Sequence, residues 1–150
     1  MVDALAVGRI GAGRDHVLNA FPCYNAAVMT RDAFERAVSA AIDELPKDLI
    51  RQIANVAFVV EELPDDETLD MADLDDPMEL FGFYHGIPLT ERTSNYGMVL
   101  PDKISIYRQP ILRTCRNDAE THKMIRRTVR HEIAHYFGID DDRLEEIGRY

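Results

Sequence analysis

The chain has 150 residues, 46% of them hydrophobic, which is enough to bury one core and form one domain. Its net charge of −10 gives nucleic-acid binding no support, and no stretch is long or apolar enough to span a membrane. Two cysteines do not make a disulfide framework, and no basic stretch followed by an apolar run opens the chain; the expectation is a cytoplasmic protein with free thiols at Cys23 and Cys115.

Residues 1–28 carry Gly8, Gly11 and Gly13 without sustained periodicity and read as a loosely ordered N-terminal extension, with a docking arm as the alternative. A single domain is expected over residues 29–150. Thr30 can cap a helix whose apolar residues Phe34, Ala37, Val38, Ala41, Ile42 and Leu45 recur at three- and four-residue steps, until Pro46 breaks it. Leu49, Ile50 and Ile53 mark a second short helical piece ending near Asn55. Val56 to Val60 is a continuous apolar run of strand length, the pattern of a central strand buried on both faces.

The acidity of the chain is concentrated in one place. Ten acids and no Lys or Arg lie between Glu61 and Glu79; removing them from the 27 acids leaves 17, which balances the 17 basic residues. Such a run reads as a solvated, mobile segment, with a regulatory lid as the sharper alternative. A calcium loop is disfavoured, because the glycine and ligand register of an EF-hand are missing.

Leu80, Phe81, Phe83 and Tyr84 predict an aromatic strand that stops at His85-Gly86, and Thr90 to Gly97 predicts a turn or exposed loop. Lys103 to Arg108 alternates in the manner of a half-buried strand, ended by Gln109-Pro110, and Ile111 to Arg116 adds a helical turn. Asn117 with Glu120 three residues on is a capping box that opens the last long helix. On that helix Ile125, Thr128, His131, Glu132 and His135 share one arc, and Lys123, Arg126, Arg127, Arg130 and Ala134 the other. The basic stripe is a solvated helix back or, as the minority reading, a rest for the acidic segment.

The end of this helix carries the most informative stretch: His131-Glu132-Ile133-Ala134-His135-Tyr136-Phe137-Gly138-Ile139-Asp140-Asp141. Histidines four residues apart stand one above the other on a helix and can hold one Zn²⁺ through their ring nitrogens. Glu132 is then a candidate general base for a water activated by the metal. Gly138 stands where a helix ends in a left-handed turn, so the chain can fold back and bring Asp141 to the metal as third ligand. Glu145 is the rival for that position, whereas Asp140 or Asp142 better serves as cap of a short closing helix, Arg143 to Ile147. Three protein ligands plus water is the catalytic arrangement of zinc; structural zinc usually has four closed ligands rich in Cys.

These features together resemble the small bacterial zincin-like metallopeptidases, described as having a matrix-metalloprotease-like domain. Besides the H-E-x-x-H-x-x-G-x-x-D stretch, the resemblance rests on the opening helix ending Asp43-Glu44-Leu45-Pro46 and on the strand Val56 to Val60. It continues through Leu80 to Arg92 and Leu100-Pro101-Asp102-Lys103-Ile104, covering most of Met29 to Gly148. It implies a minimal α+β zincin fold: a small three- to four-stranded mixed sheet packed against an N-terminal helix and a C-terminal metal-binding helix. It also implies zinc-dependent hydrolysis of a peptide or protein substrate. Larger metzincins end the motif in His and continue to a methionine turn; here the last methionine, Met124, precedes the motif. By the logic of strand addition, Lys103 to Arg108 is the candidate edge for holding substrate. Tyr84, His85, Tyr96, Tyr107 and Tyr136 are candidate oxyanion donors, each with packing as its simpler role, and His16 and His122 have no ligand partner at a recognisable spacing. The alternative function is a zincin-fold module that binds metal or a partner without catalysis.

Overall fold

The computed structural model describes residues 29–53, 55–93 and 101–147, so the expected extension over residues 1–28, with Cys23 and His16, and also Tyr96, lie outside the described residues. Thr30 opens α1 (Arg31–Asp43) by accepting a hydrogen bond from the Ala33 amide. Pro46 then starts α2 (Lys47–Gln52), its carbonyl taking the first amides of the new helix. The strands are β1 (Val56–Glu61), β2 (Gly82–His85) and β3 (Asp102–Tyr107), with α3 (Asp66–Ala72) between the first two. Helices α4 (Arg108–Thr114), α5 (Asp118–Tyr136) and α6 (Asp141–Ile147) follow β3 to the end of the described residues. The fold is α+β with a three-stranded mixed sheet, as expected.

Sheet order is β1-β3-β2, with β1 parallel and β2 antiparallel to β3. This corrects two expectations at once. Val56 to Val60 is an edge, not a central strand: Ala57 and Val59 are exposed, and one face alone meets the core. The central strand is β3, buried at Asp102, Ile104, Ser105, Ile106 and Tyr107. Both its edges are bonded to neighbours, so it offers none to a substrate.

Two apolar clusters lie on the two faces of the sheet. On one, α1 packs on α5: Phe34, Ala37, Val38 and Ala41 meet Ile125, Val129 and Ile133 over Ile104, Ile106 and Tyr84. Each large side chain fully buried there contributes about 1.5–3 kcal/mol. On the other, Leu69 and Ala72 of α3 cover Leu80, Phe83 and Tyr107. The acidic run is therefore not a solvated coil throughout. Asp65 caps α3 by accepting from the Thr68 amide at 2.8 Å, and the acids lie on its outer side while Thr68, Leu69 and Ala72 face inward.

The strand ends at Tyr107, and Gln109-Pro110, expected to end it, lies inside helix α4, which begins at Arg108. Pro110 is its third residue, where a missing amide hydrogen costs no intrahelical bond. Asn117 caps α5 by accepting from the Glu120 amide at 2.9 Å, and the Glu120 carboxylate accepts from the Arg116 amide. The inner arc expected on α5 is buried, while on the opposite arc Lys123 and Arg130 are exposed and Arg126, Arg127 and Ala134 are half-buried. Arg126 of the basic stripe pairs with Glu44 at the end of α1, at 3.8 Å, rather than with the acidic segment. No described helix is long and apolar enough to cross a membrane.

Candidate metal centre

The last turn of α5 and the turn after it build the site. Gly138 has φ +81°, and the Ile139 and Gly138 amides donate to the Ala134 and His135 carbonyls at 3.0 and 2.9 Å, closing the helix in a Schellman motif. The chain reverses there. Asp140 accepts from the Arg143 amide at 2.8 Å and so caps α6, which begins at Asp141, two residues before the expected start. Asp141, first residue of α6, points back at α5: its Oδ1 lies 3.0 Å from His131 Nε2 and 3.7 Å from His135 Nε2. The side chain of Glu145, the rival ligand, lies outside the described residues.

Do these donors fit a metal ion? A tetrahedral ion with bonds of about 2.0–2.1 Å keeps its ligand atoms roughly 3.3 Å apart, and the distances of 3.0 and 3.7 Å from Asp141 to the two ring nitrogens bracket that spacing. The three donor atoms lie within 4.8 Å of one another. His135 Nε2 is buried and makes no hydrogen bond, while its Nδ1 faces the Ile139 carbonyl at 2.7 Å. That carbonyl accepts the Nδ1 proton and leaves Nε2 as a lone-pair donor, the tautomer a metal requires. The residues fit.

Electrostatics agree with this arrangement. Burial, with His131 adding to it, pulls the His135 pKa down to about 4, against the opposing pull of Asp141, so the imidazole is neutral near pH 7. Glu132 is fully buried, and neither carboxylate oxygen makes a hydrogen bond. Burial first, and then the Asp141 charge, push its carboxyl well above the ordinary range; the nearby Tyr84 amide, which falls short of a formed hydrogen bond, only partly opposes them. A charge-bearing group so placed needs a cation or a proton beside it.

Among the sequence-derived oxyanion donors, the geometry commits four elsewhere. Tyr84 shares its hydroxyl between Asp102 and the Ile87 carbonyl; Tyr136 donates to the Gln52 carbonyl. His85 meets Ser105 at 3.1 Å, and both it and Tyr107 lie on the face of the sheet away from α5. Exposed His122 contacts the Asp118 carbonyl through Nδ1 and remains a helix-surface residue.

The structure also brings in residues that the motif does not name. A Cβ on Gly82 would lie 2.6 Å from Thr128 Cγ2 and 3.0 Å from Glu132 Cγ, so β2 reaches Glu132 only because residue 82 has no side chain. The signal was a glycine inside an aromatic strand pattern, which marks close backbone approach. Thr128, one turn before Glu132, has a buried hydroxyl with no hydrogen bond.

No individually curated protein matches the sequence. A family model described as "Zincin-like metallopeptidase" matches residues 53–149, which is more than half of the chain and includes His131, Glu132, His135 and Asp141. The chain therefore belongs to the zincin-like metallopeptidase family.

Proposed function

We propose that the protein is a zinc-dependent peptidase in which His131, His135 and Asp141 hold the ion and Glu132 is the general base. Membership of the family implies a metal, usually zinc, and the His/His/Asp group is the fitting site among the described residues. The observation that carries the reading is Glu132: a buried carboxylate without a hydrogen bond, one residue from a ligand and supported by no structural partner. A purely structural residue at that position would be apolar or paired. When bound, zinc supplies Lewis acidity, lowering the pKa of water and polarising a carbonyl. Glu132 takes the proton of the attacking water and returns it to the leaving amine. The outer edge of β2, next to Glu132 through Gly82, is the edge along which an extended peptide would pair. Cysteine usage favours a cytoplasmic protein, and membership of the family favours a peptide or protein substrate.

The test is zinc content after purification without chelator, followed by peptide-library cleavage by wild type and Glu132→Gln. Expected are bound zinc in both proteins and cleavage by wild type alone. Zinc in both with no Glu132-dependent cleavage would sink the enzyme and leave a metal-binding module. An Asp141→Ala variant should weaken zinc more than Glu145→Ala; the reverse order would reassign the third ligand.

A further inference from the structure

The segment from Ile87 to Arg92, containing a single 3-10 turn (Leu89–Glu91), follows β2 and meets the end of α5 at two points. Thr90 fills the space over Gly138: a Cβ built there would lie 2.1 Å from Thr90 Oγ1 and 2.8 Å from its Cγ2. The Arg92 guanidinium stacks 5.1 Å from the centroid of Tyr136, the last residue of α5. Tyr136 and Gly138 flank the step by which the chain leaves His135 and turns toward Asp141.

This segment is itself held by buried polar groups. Arg92 forms an ion pair with Asp102, the first residue of the central strand, and its Nε donates to the Ile87 carbonyl at 2.9 Å. The Tyr84 hydroxyl lies 2.9 Å from the same Asp102 carboxylate and 3.0 Å from the same Ile87 carbonyl, its one proton shared between the two acceptors. Asp102 is 5% exposed, and its ion pair is one that fixes geometry more than it adds stability. Tyr84 also packs edge-on against Tyr136, with ring centroids 5.9 Å apart. A rigid path thus runs from β3, through Asp102 and Arg92, to the turn after the second histidine.

We propose that Thr90 and Arg92 are positioning residues for the third metal ligand. Anchored to Asp102, the Ile87 to Arg92 segment is a strap that fixes the Gly138 turn, so that Asp141 reaches the histidine pair and the Ile139 carbonyl reaches His135 Nδ1. The inference rests on the reading of His131, His135 and Asp141 as a metal site. It assigns to residues distant in sequence the task that outer-shell partners perform at metal sites, where their loss typically lowers affinity 10- to 100-fold.

The experiment measures zinc affinity of the full chain by competition with a chromophoric chelator, beside the visible spectrum of the cobalt-loaded protein, which reports coordination geometry. Thr90→Ala and Arg92→Ala should each weaken zinc by about tenfold or more and change the cobalt spectrum, while the metal-free proteins keep wild-type far-UV circular dichroism. Arg92→Lys and Thr90→Ser, which keep the charge and the hydroxyl, should recover part of the loss. Folded alanine variants with wild-type zinc affinity and cobalt spectrum would overturn the strap. Should Arg92→Ala fail to fold, Thr90→Ala still decides the matter, since it leaves the Arg92–Asp102 pair in place: wild-type zinc affinity and cobalt spectrum in that variant would overturn the strap. A wild type that binds no zinc, or zinc binding that survives His131→Ala with His135→Ala, would remove the metal site itself, an outcome distinct from failure of the strap.

Discussion

A methyl group added at Gly82 would have no space to enter. Thr128, 2.6 Å away, is 1% exposed, and Glu132 beside it is fully buried. Gly82→Ala is therefore expected to cost about 1–3 kcal/mol of stability and to push Glu132 from its place, so peptide cleavage falls while zinc affinity changes little. Denaturant melts, cleavage rates and zinc titration read the three quantities separately; an equal loss of zinc affinity and cleavage would show that the glycine serves the ligands rather than the base. A second residue-scale outcome concerns acid. Burial, with Lys103 adding to it, brings the His85 pKa down to about 4 against the pull of Glu61 and Asp65. The unfolded chain binds that proton near pH 6.5, the folded chain only near 4. Stability from this residue is therefore complete above about pH 6.5 and lost as pH falls toward 4. His85→Gln should lessen the acid slope of a stability–pH profile, while His135, brought down to about 4 as well, keeps its own share of it; an unchanged slope between pH 6.5 and 4 would exclude His85 as a contributor.

Between helix and turn, the decisive element is the Schellman end of α5, and it was legible: Gly138 three residues past the second histidine predicts the reversal that the structure contains. Gly138→Ala should cost about 1–2 kcal/mol for the left-handed backbone alone, and more because its Cβ would meet Thr90 at 2.1 Å. Zinc affinity should drop with it, which isothermal titration would register; full affinity in a destabilised variant would detach the turn from the ligand. The helices were legible because Thr30 and Asn117 announce their starts and the three- and four-residue steps announce their buried faces. The strand neighbours were not. Val56 to Val60 reads as central because its apolar run is continuous, but hydrophobicity reports which faces can be buried, not how many strands flank them. Ser105 and Tyr107 made β3 look half exposed, yet α3 covers Tyr107, and Ser105 finds His85. The acidic count hid α3 for a related reason: its three inward residues, Thr68, Leu69 and Ala72, are few enough for ten charges to mask them. Arg92 and Asp102, ten residues apart across residues 94–100, carry no spacing signal at all.

At the scale of the whole molecule, zinc and fold should be linked, because an ion that binds only the native site stabilises it by mass action. At a zinc concentration 100 times its Kd the gain is about 2.7 kcal/mol, on the order of 10 °C in Tm for a domain of this size. Calorimetry with zinc and with chelator measures it, and identical Tm values would mean that no native zinc site exists. A sharper test concerns where the domain begins. The family match opens at residue 53, after α1 and α2, whereas we place the domain boundary at residue 29. Phe34, Ala37, Val38 and Ala41 are the buried face of α1, and they cover Ile125, Val129 and Ile133 on the very helix that carries His131 and His135. Deleting residues 29–52 would return that face of α5 to water. With Phe34, Val38 and Leu45 alone worth about 1.5–3 kcal/mol each, the loss is comparable to the roughly 5–15 kcal/mol that hold a whole domain folded. A chain begun at Met29 should therefore unfold cooperatively and bind zinc as the full chain does, and one begun at Ile53 should do neither. Circular dichroism melts and zinc titration of the two truncations decide between the boundaries. A cooperative, zinc-binding chain from Ile53 would mean that the sheet, α5 and α6 suffice, and that α1 only shelters a face the fold can leave open.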